Sequence, residues 1–431
     1  MLNITQNRYY PLFMLFSIYL YAFVGIKFYH FSEILIGIII LGSIPIFFIH
    51  KNNIFKDPIV ILFFLVLILE VFSWINSLIY FSDFANTVPK IDRLGKLFLF
   101  FPVAYWLRGD QKNIILLWLF FLFGFIITCF TNVSIQSIIT HTLNQERMSF
   151  SIKNAQFDSM FAGSSLIISL SLFYTTFRSH RFSTNLRFLF LGILSILVIL
   201  FLYITIITQS RQVWLGLVGA MFFAMVCYFF IYKIKNIKFI FLGILLFLGI
   251  IAFFGSTQVI QKRFLKEKET IQTIVLLDSH KQIKMSSIGI RINSWIDATE
   301  WIKKHPLVGL GPEAIQEVIQ QSNRFSKRLK KKYGHLHNFF IEIVVAYGFI
   351  GLSLIFAIYY IIIKSIKTSS LPKEKKRHYL LISISFTVYW FIINNFEVFN
   401  SRHLGIFTHT IIFASFYTFH LKDYLQENTT S

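Results

Sequence analysis

Long apolar runs separated by short polar segments fill most of this chain. Runs at about 10–28, 32–49, 58–82, 94–107, 113–131, 156–177, 188–209, 211–232, 236–256, 337–363, 378–396 and 403–420 read as membrane spans. The fourth is short and contains Pro102, which predicts a tilted or broken element. The seventh and eighth are divided only by Thr208-Gln209-Ser210-Arg211, and together they are too long for one crossing, so a hairpin is expected. One segment breaks the pattern. From Ser256 to Leu336 the chain is polar and basic, and it closes on Gly334-His335-Leu336-His337-Asn338 before the next apolar run. The expected architecture is an all-α integral membrane protein of about twelve transmembrane helices. Residues 1–256 carry nine spans, 257–336 form one large helical loop between spans nine and ten, 337–420 carry the last three, and 421–431 form a tail.

Helical spacing is legible inside the loop. Ile292, Trp295, Ile296 and Ile302, with Thr299, share a face and predict a helix over Arg291–Lys304 that stops before Pro306. Gly309-Leu310-Gly311 should turn the chain, Pro312 suits a first helical position, and Ala314, Ile315, Val318 and Ile319 form the next apolar stripe. A basic run, Arg324 to Lys332, follows. Lys and Arg are more than twice as frequent in the segments on the N-terminal side of the membrane as in the short segments opposite. That bias places both termini inside and the long loop outside.

Composition agrees. The chain has 431 residues, 55% of them hydrophobic, with 53 Phe. The net charge of +21 would suggest a nucleic-acid partner in a soluble chain. Here membrane topology explains it, and no nucleic-acid motif is present. Cys129 and Cys227 both lie in apolar runs, which excludes a disulfide framework and predicts packing roles. The first apolar run lacks a small-residue cleavage site and reads as an uncleaved span.

The candidate chemistry lies at outer boundaries. Arg211 opens a span within Ser210-Arg211-Gln212-Val213-Trp214-Leu215-Gly216, where a cation is disfavoured unless it snorkels or binds an anion. Arg291 is expected to open the first loop helix, against the helix dipole. His337 sits where loop meets helix and suits a general base, with His335 on the same side in an extended segment. Asn338 suits an N-cap, and Glu342 should pair with Arg211, Arg291 or a lysine. Lys90, Arg93 and Lys96 crowd a short outer segment as candidate anion ligands, and Arg402 is expected to pair with Glu397. Two histidines without a carboxylate at ligand spacing argue against a metal. Rival readings remain at this point, among them a lipid transporter, though no internal repeat supports one.

Three ordered motifs resemble the O-antigen ligase and Wzy-type polymerase superfamily of membrane glycosyltransferases. They are Ser-Arg-x-x-Trp-Leu-Gly at 210–216, Arg-x-x-Ser-Trp-x-x-Ala with His-Pro-Leu-x-Gly-x-Gly at 291–311, and His-x-His-Asn-x-x-x-Glu with Gly-x-x-Gly-Leu at 335–352. The resemblance implies an inner-membrane enzyme with a periplasmic site and cytoplasmic termini. It would transfer undecaprenyl-diphosphate-linked O-antigen to lipid A-core, inverting, without metal or other cofactor. It places Arg211 and Arg291 at the diphosphate and His337 at the acceptor. His335, Asn338, Glu342, Trp214, Trp295, Lys90, Arg93, Lys96 and Arg402 are then secondary substrate contacts. An O-antigen polymerase and a protein O-oligosaccharyltransferase are the nearest alternatives.

Overall fold

The computed structural model of the chain describes residues 9–83, 85–179, 183–233 and 285–427, with single positions or short groups at 238, 241, 243–245, 248, 249, 261, 265 and 283. These residues are helical, without a strand. Among the described residues, eight helices are long and apolar enough to cross a membrane. They are α2 (Tyr29–Ile49), α3 (Pro58–Tyr80), α5 (Gln111–Asn132), α6 (Ala155–Phe177), α7 (Thr184–Ile207), α8 (Arg211–Tyr232), α11 (Phe339–Thr368) and α13 (His403–Glu427). α1 (Tyr9–Val24) is shorter, and α12 (Lys373–Asn394) begins with a run of charged residues that lowers its hydropathy. The expected span 236–256, and the loop up to 282, lie almost wholly outside the described residues.

The expected span 94–107 is broken, and Lys96–Phe98 forms a 3-10 turn. It ends in α4 (Phe100–Leu107), whose eight residues reach only about 12 Å. Pro102 sits in the first turn of α4, where its missing N–H costs nothing. The α7–α8 hairpin is present as expected, turning at Thr208 to Ser210.

α13 occupies the centre. Its span is almost entirely buried, whereas α2, α7 and α8 leave most of their surface facing outward. Composition follows position. α7 presents Leu189, Ile193, Ile196 and Ile199 outward, while α13 buries Thr408, His409, Thr410, Ser415 and Thr418. Polar side chains of this kind are tolerated in a span only where protein, not lipid, surrounds them.

Two loop helices, α9 (Ser287–Lys304) and α10 (Ala314–Gln320), lie over the bundle. α9 begins four residues before the expected start, because Ser286 caps it by accepting a hydrogen bond from Gly289 N. Arg291 therefore sits in the second turn rather than at the dipole end. α10 begins after Pro312, not at it.

The loop is tied to α11 at a break. Gly348 has φ 66° and ψ −172°, a conformation open essentially to glycine alone. The carbonyls and amides freed there bond the segment His305–Gly311. Phe349 N donates to Pro306 O at 2.8 Å and Ile350 N to Leu307 O at 3.2 Å. In return Leu310 N donates to Val345 O at 3.1 Å and Gly311 N to Ala346 O at 2.9 Å. A Cβ on Gly309 would lie 2.5 Å from the Ala346 backbone, and one on Gly348 would lie 2.1 Å from Leu307 O. The two glycine-containing motifs are thus halves of one joint.

Candidate active site

The histidine turn is held through the backbone of Leu336, which is fully buried. Its N–H donates to Glu342 Oε1 at 2.9 Å. Its carbonyl accepts from Trp295 Nε1 at 2.8 Å. The second oxygen of Glu342 pairs with Arg93 at 2.7 Å. Glu342 therefore finds its cation in Arg93, not in Arg211, Arg291 or a lysine. Asn338 caps α11, its Oδ1 accepting from Phe340 N at 3.0 Å and Ile341 N at 3.1 Å. Asn338, Glu342 and Trp295 thus have jobs in positioning the turn.

This scaffold sets His335 and His337 side by side, with ring centroids 4.1 Å apart. His337 has φ 54°, left-handed backbone that non-glycine residues seldom adopt. Between the rings and the end of α12 stands Glu397. Its carboxylate lies 3.6 Å from His335 Nε2 and 3.5 Å from His337 Nδ1. The segment that carries Glu397 is bracketed by a buried amide network at the end of α12. Asn400 N donates to Asn394 Oδ1 at 3.0 Å, and Trp390 Nε1 donates to Asn400 Oδ1 at 2.8 Å.

Glu397 is the candidate site residue that local sequence reasoning missed. The expected Glu397–Arg402 pair is replaced by the two histidines. The only available signal was a carboxylate in a short outer segment. Burial opposes its charge, yet the two histidines hold its pKa well below the usual carboxylate range. Burial pushes the His337 pKa below its ordinary value, Glu397 opposes that, and His335 and Arg291 add to it. Arg291 is thus close enough to act on the imidazole.

The ligand atoms of His335, His337 and Glu397 all lie within 4.8 Å of one another. The 3.5 and 3.6 Å separations are near the ~3.4 Å expected between ligands on a tetrahedral ion with bonds of ~2.1 Å. His337 Nδ1 is buried without a hydrogen bond. The premise that no carboxylate accompanies the histidines is therefore corrected, and this donor set fits a divalent cation.

Arg211 is half-buried at the first position of α8. α8 packs along α12, where a Cβ on Gly216 would lie 2.8 Å from Ile393. Arg211 is about one and a half turns from that contact, level with the segment leading into Glu397. The glycine of the first motif permits this approach. Trp214 anchors the hairpin, with Nε1 donating to Thr205 O at 3.0 Å. Arg147 reinforces it, with Nε donating to Thr208 O at 3.0 Å. Of the other expected anion ligands, Lys90 pairs with Glu313 at 2.8 Å and Lys96 with Asp92 at 2.5 Å. Arg402 is exposed at the start of α13.

The fold and this cluster define a multi-pass helical membrane protein with a histidine–carboxylate site at one mouth of the bundle. Residues 196–356, which contain all three motifs, match the family model described as O-antigen ligase, so the resemblance read from those motifs is shown. A comparison with curated proteins gave no match.

Proposed function

We propose that the protein transfers a glycan from undecaprenyl diphosphate to a hydroxyl of lipid A-core on the periplasmic face of the inner membrane. The observation that carries this reading is the His335–His337–Glu397 cluster, held rigidly at the start of α11 within reach of the Arg291 charge. The family match over 196–356 supports the reaction class, a membrane glycan ligase or polymerase. With Nδ1 turned to Glu397, the other nitrogen of His337 is left to take a proton. The acceptor oxygen attacks the anomeric carbon, His337 receives the hydroxyl proton, and the bond from that carbon to the diphosphate oxygen breaks. One displacement inverts the anomeric centre. Arg211 and Arg291 bind the departing diphosphate, whose negative charge grows as the bond breaks. No nucleotide is needed, because the diphosphate already activates the sugar.

A deletion strain tests the assignment. Lipid A-core without O-antigen, together with accumulated long lipid-linked glycan, identifies a ligase. A single repeat unit on the core identifies a polymerase and overturns the acceptor assignment. The donor geometry of the three-residue cluster favours one second reading, in which a divalent cation held there polarises the acceptor hydroxyl. Transfer unaffected by chelation supports the metal-free reaction. Loss restored by added zinc supports the cation.

A further inference from the structure

A cavity of about 1030 Å³ opens beside the histidine turn. His335 lines it but His337 does not, and neither α8 nor α9 contributes a residue. The end of α8 that carries Arg211 is therefore not part of its wall. Its lower wall is built from the bundle itself, with Gly25 just after α1, Gly37 and Ile40 of α2, and Ile406 and Phe407 of α13. A Cβ on Gly37 would meet nothing within 4 Å. The cavity thus descends from a charged mouth along apolar helix surface.

The charges at the mouth are not alike. Lys90, Arg93 and Lys96 are each paired with a carboxylate. Lys153 and Arg402 enter no salt bridge among the described residues, and they stand together. Partial burial and then the Arg402 guanidinium lower the Lys153 ammonium pKa, with Glu397 opposing. The Phe157 ring lies 4.5 Å from its ammonium, and His403 is also near. Glu33, on the same wall, lies beside Tyr29. Two unpaired cations above an apolar slot match an anionic head on a hydrocarbon chain. A phosphate between them would exchange repulsion for charge-assisted hydrogen bonds.

We propose that this cavity seats a phosphorylated glycolipid, with its phosphate between Lys153 and Arg402 and an acyl chain along Gly37 and Phe407. Resting on the transfer proposed above, this glycolipid is the acceptor, and the diphosphate donor occupies the other side of the histidine turn. Two lipids then meet at His335 and His337 without sharing a seat.

The test is binding to the full-length protein in nanodiscs, with three probes: phosphorylated lipid A, enzymatically dephosphorylated lipid A, and undecaprenyl diphosphate. Lys153→Ala with Arg402→Ala should weaken phosphorylated lipid A by about tenfold or more. It should leave the other two probes unchanged. Gly37→Leu, which fills open space on a helix that tolerates leucine, should weaken both forms of lipid A. Unchanged lipid A affinity in all variants overturns the proposal. So does a loss confined to undecaprenyl diphosphate, which would make the cavity the donor's. If the expected pattern appears but wild-type protein transfers no glycan, the lipid seat stands and the transferase reading falls.

Discussion

His337 combines a strained backbone, a depressed pKa and a carboxylate partner, and each has a separate physical origin. Replacing it with Ala removes the proposed base, and transfer by purified protein should fall by about a hundredfold to ten-thousandfold, with membrane insertion intact. Normal transfer would remove the base from the mechanism. The acid limb of the pH–rate profile should lie below the ordinary histidine value of 6.5, because burial favours the neutral ring. Glu397 acts in the opposite direction, holding the proton on. Glu397→Gln should therefore move that limb further down while lowering the plateau, a pair of effects that mere unfolding does not produce. Arg211→Lys and Arg291→Lys should each lose about tenfold or more in kcat/KM, because a point charge does not replace a planar fork. Full activity in both would remove the diphosphate role. The side-by-side placing of the two histidines was legible in the chain because their motif is local. Glu397 was not, since its partnership forms only when the segment after α12 folds against the start of α11.

At the scale of elements, the decisive device is the joint between 305–311 and α11. Gly348→Ala would place a side chain on backbone of φ 66° and drive it into Leu307 O. The backbone alone costs about 1–3 kcal/mol, and the collision adds to it. The yield of folded protein and its melting temperature in detergent should both drop, and an unchanged melting temperature would contradict the joint. Gly37→Leu, by contrast, should leave melting unaltered. The sequence pattern showed that glycines and a proline punctuate both motifs, but not that they face each other, because backbone pairing leaves no periodic trace. The same limit applies to α9. Its apolar stripe was legible, while its true start at Ser287 depends on the Ser286 cap.

For the molecule as a whole, hydropathy located the eight long apolar helices of the described residues and failed where protein replaces lipid. α4 is apolar yet too short to cross, and α13 is the most buried span despite its many hydroxyls. The charge bias predicts opposite exposure for two loops. A cysteine placed at Lys331 should react with an impermeant maleimide in intact spheroplasts, and one at Lys373 only after lysis. The reverse pattern would invert the orientation. Native Cys129 is buried and should add little background. The joint at Gly348 also bears on traffic. Four backbone hydrogen bonds clamp 305–311 into α11, and Trp295 and Glu342 clamp Leu336 from either side. Among the described residues, the part of the canopy between 305 and 336 is riveted near both of its ends. A lipid-linked glycan sliding in sideways from the bilayer would leave this joint intact, and only its sugars need ever see water.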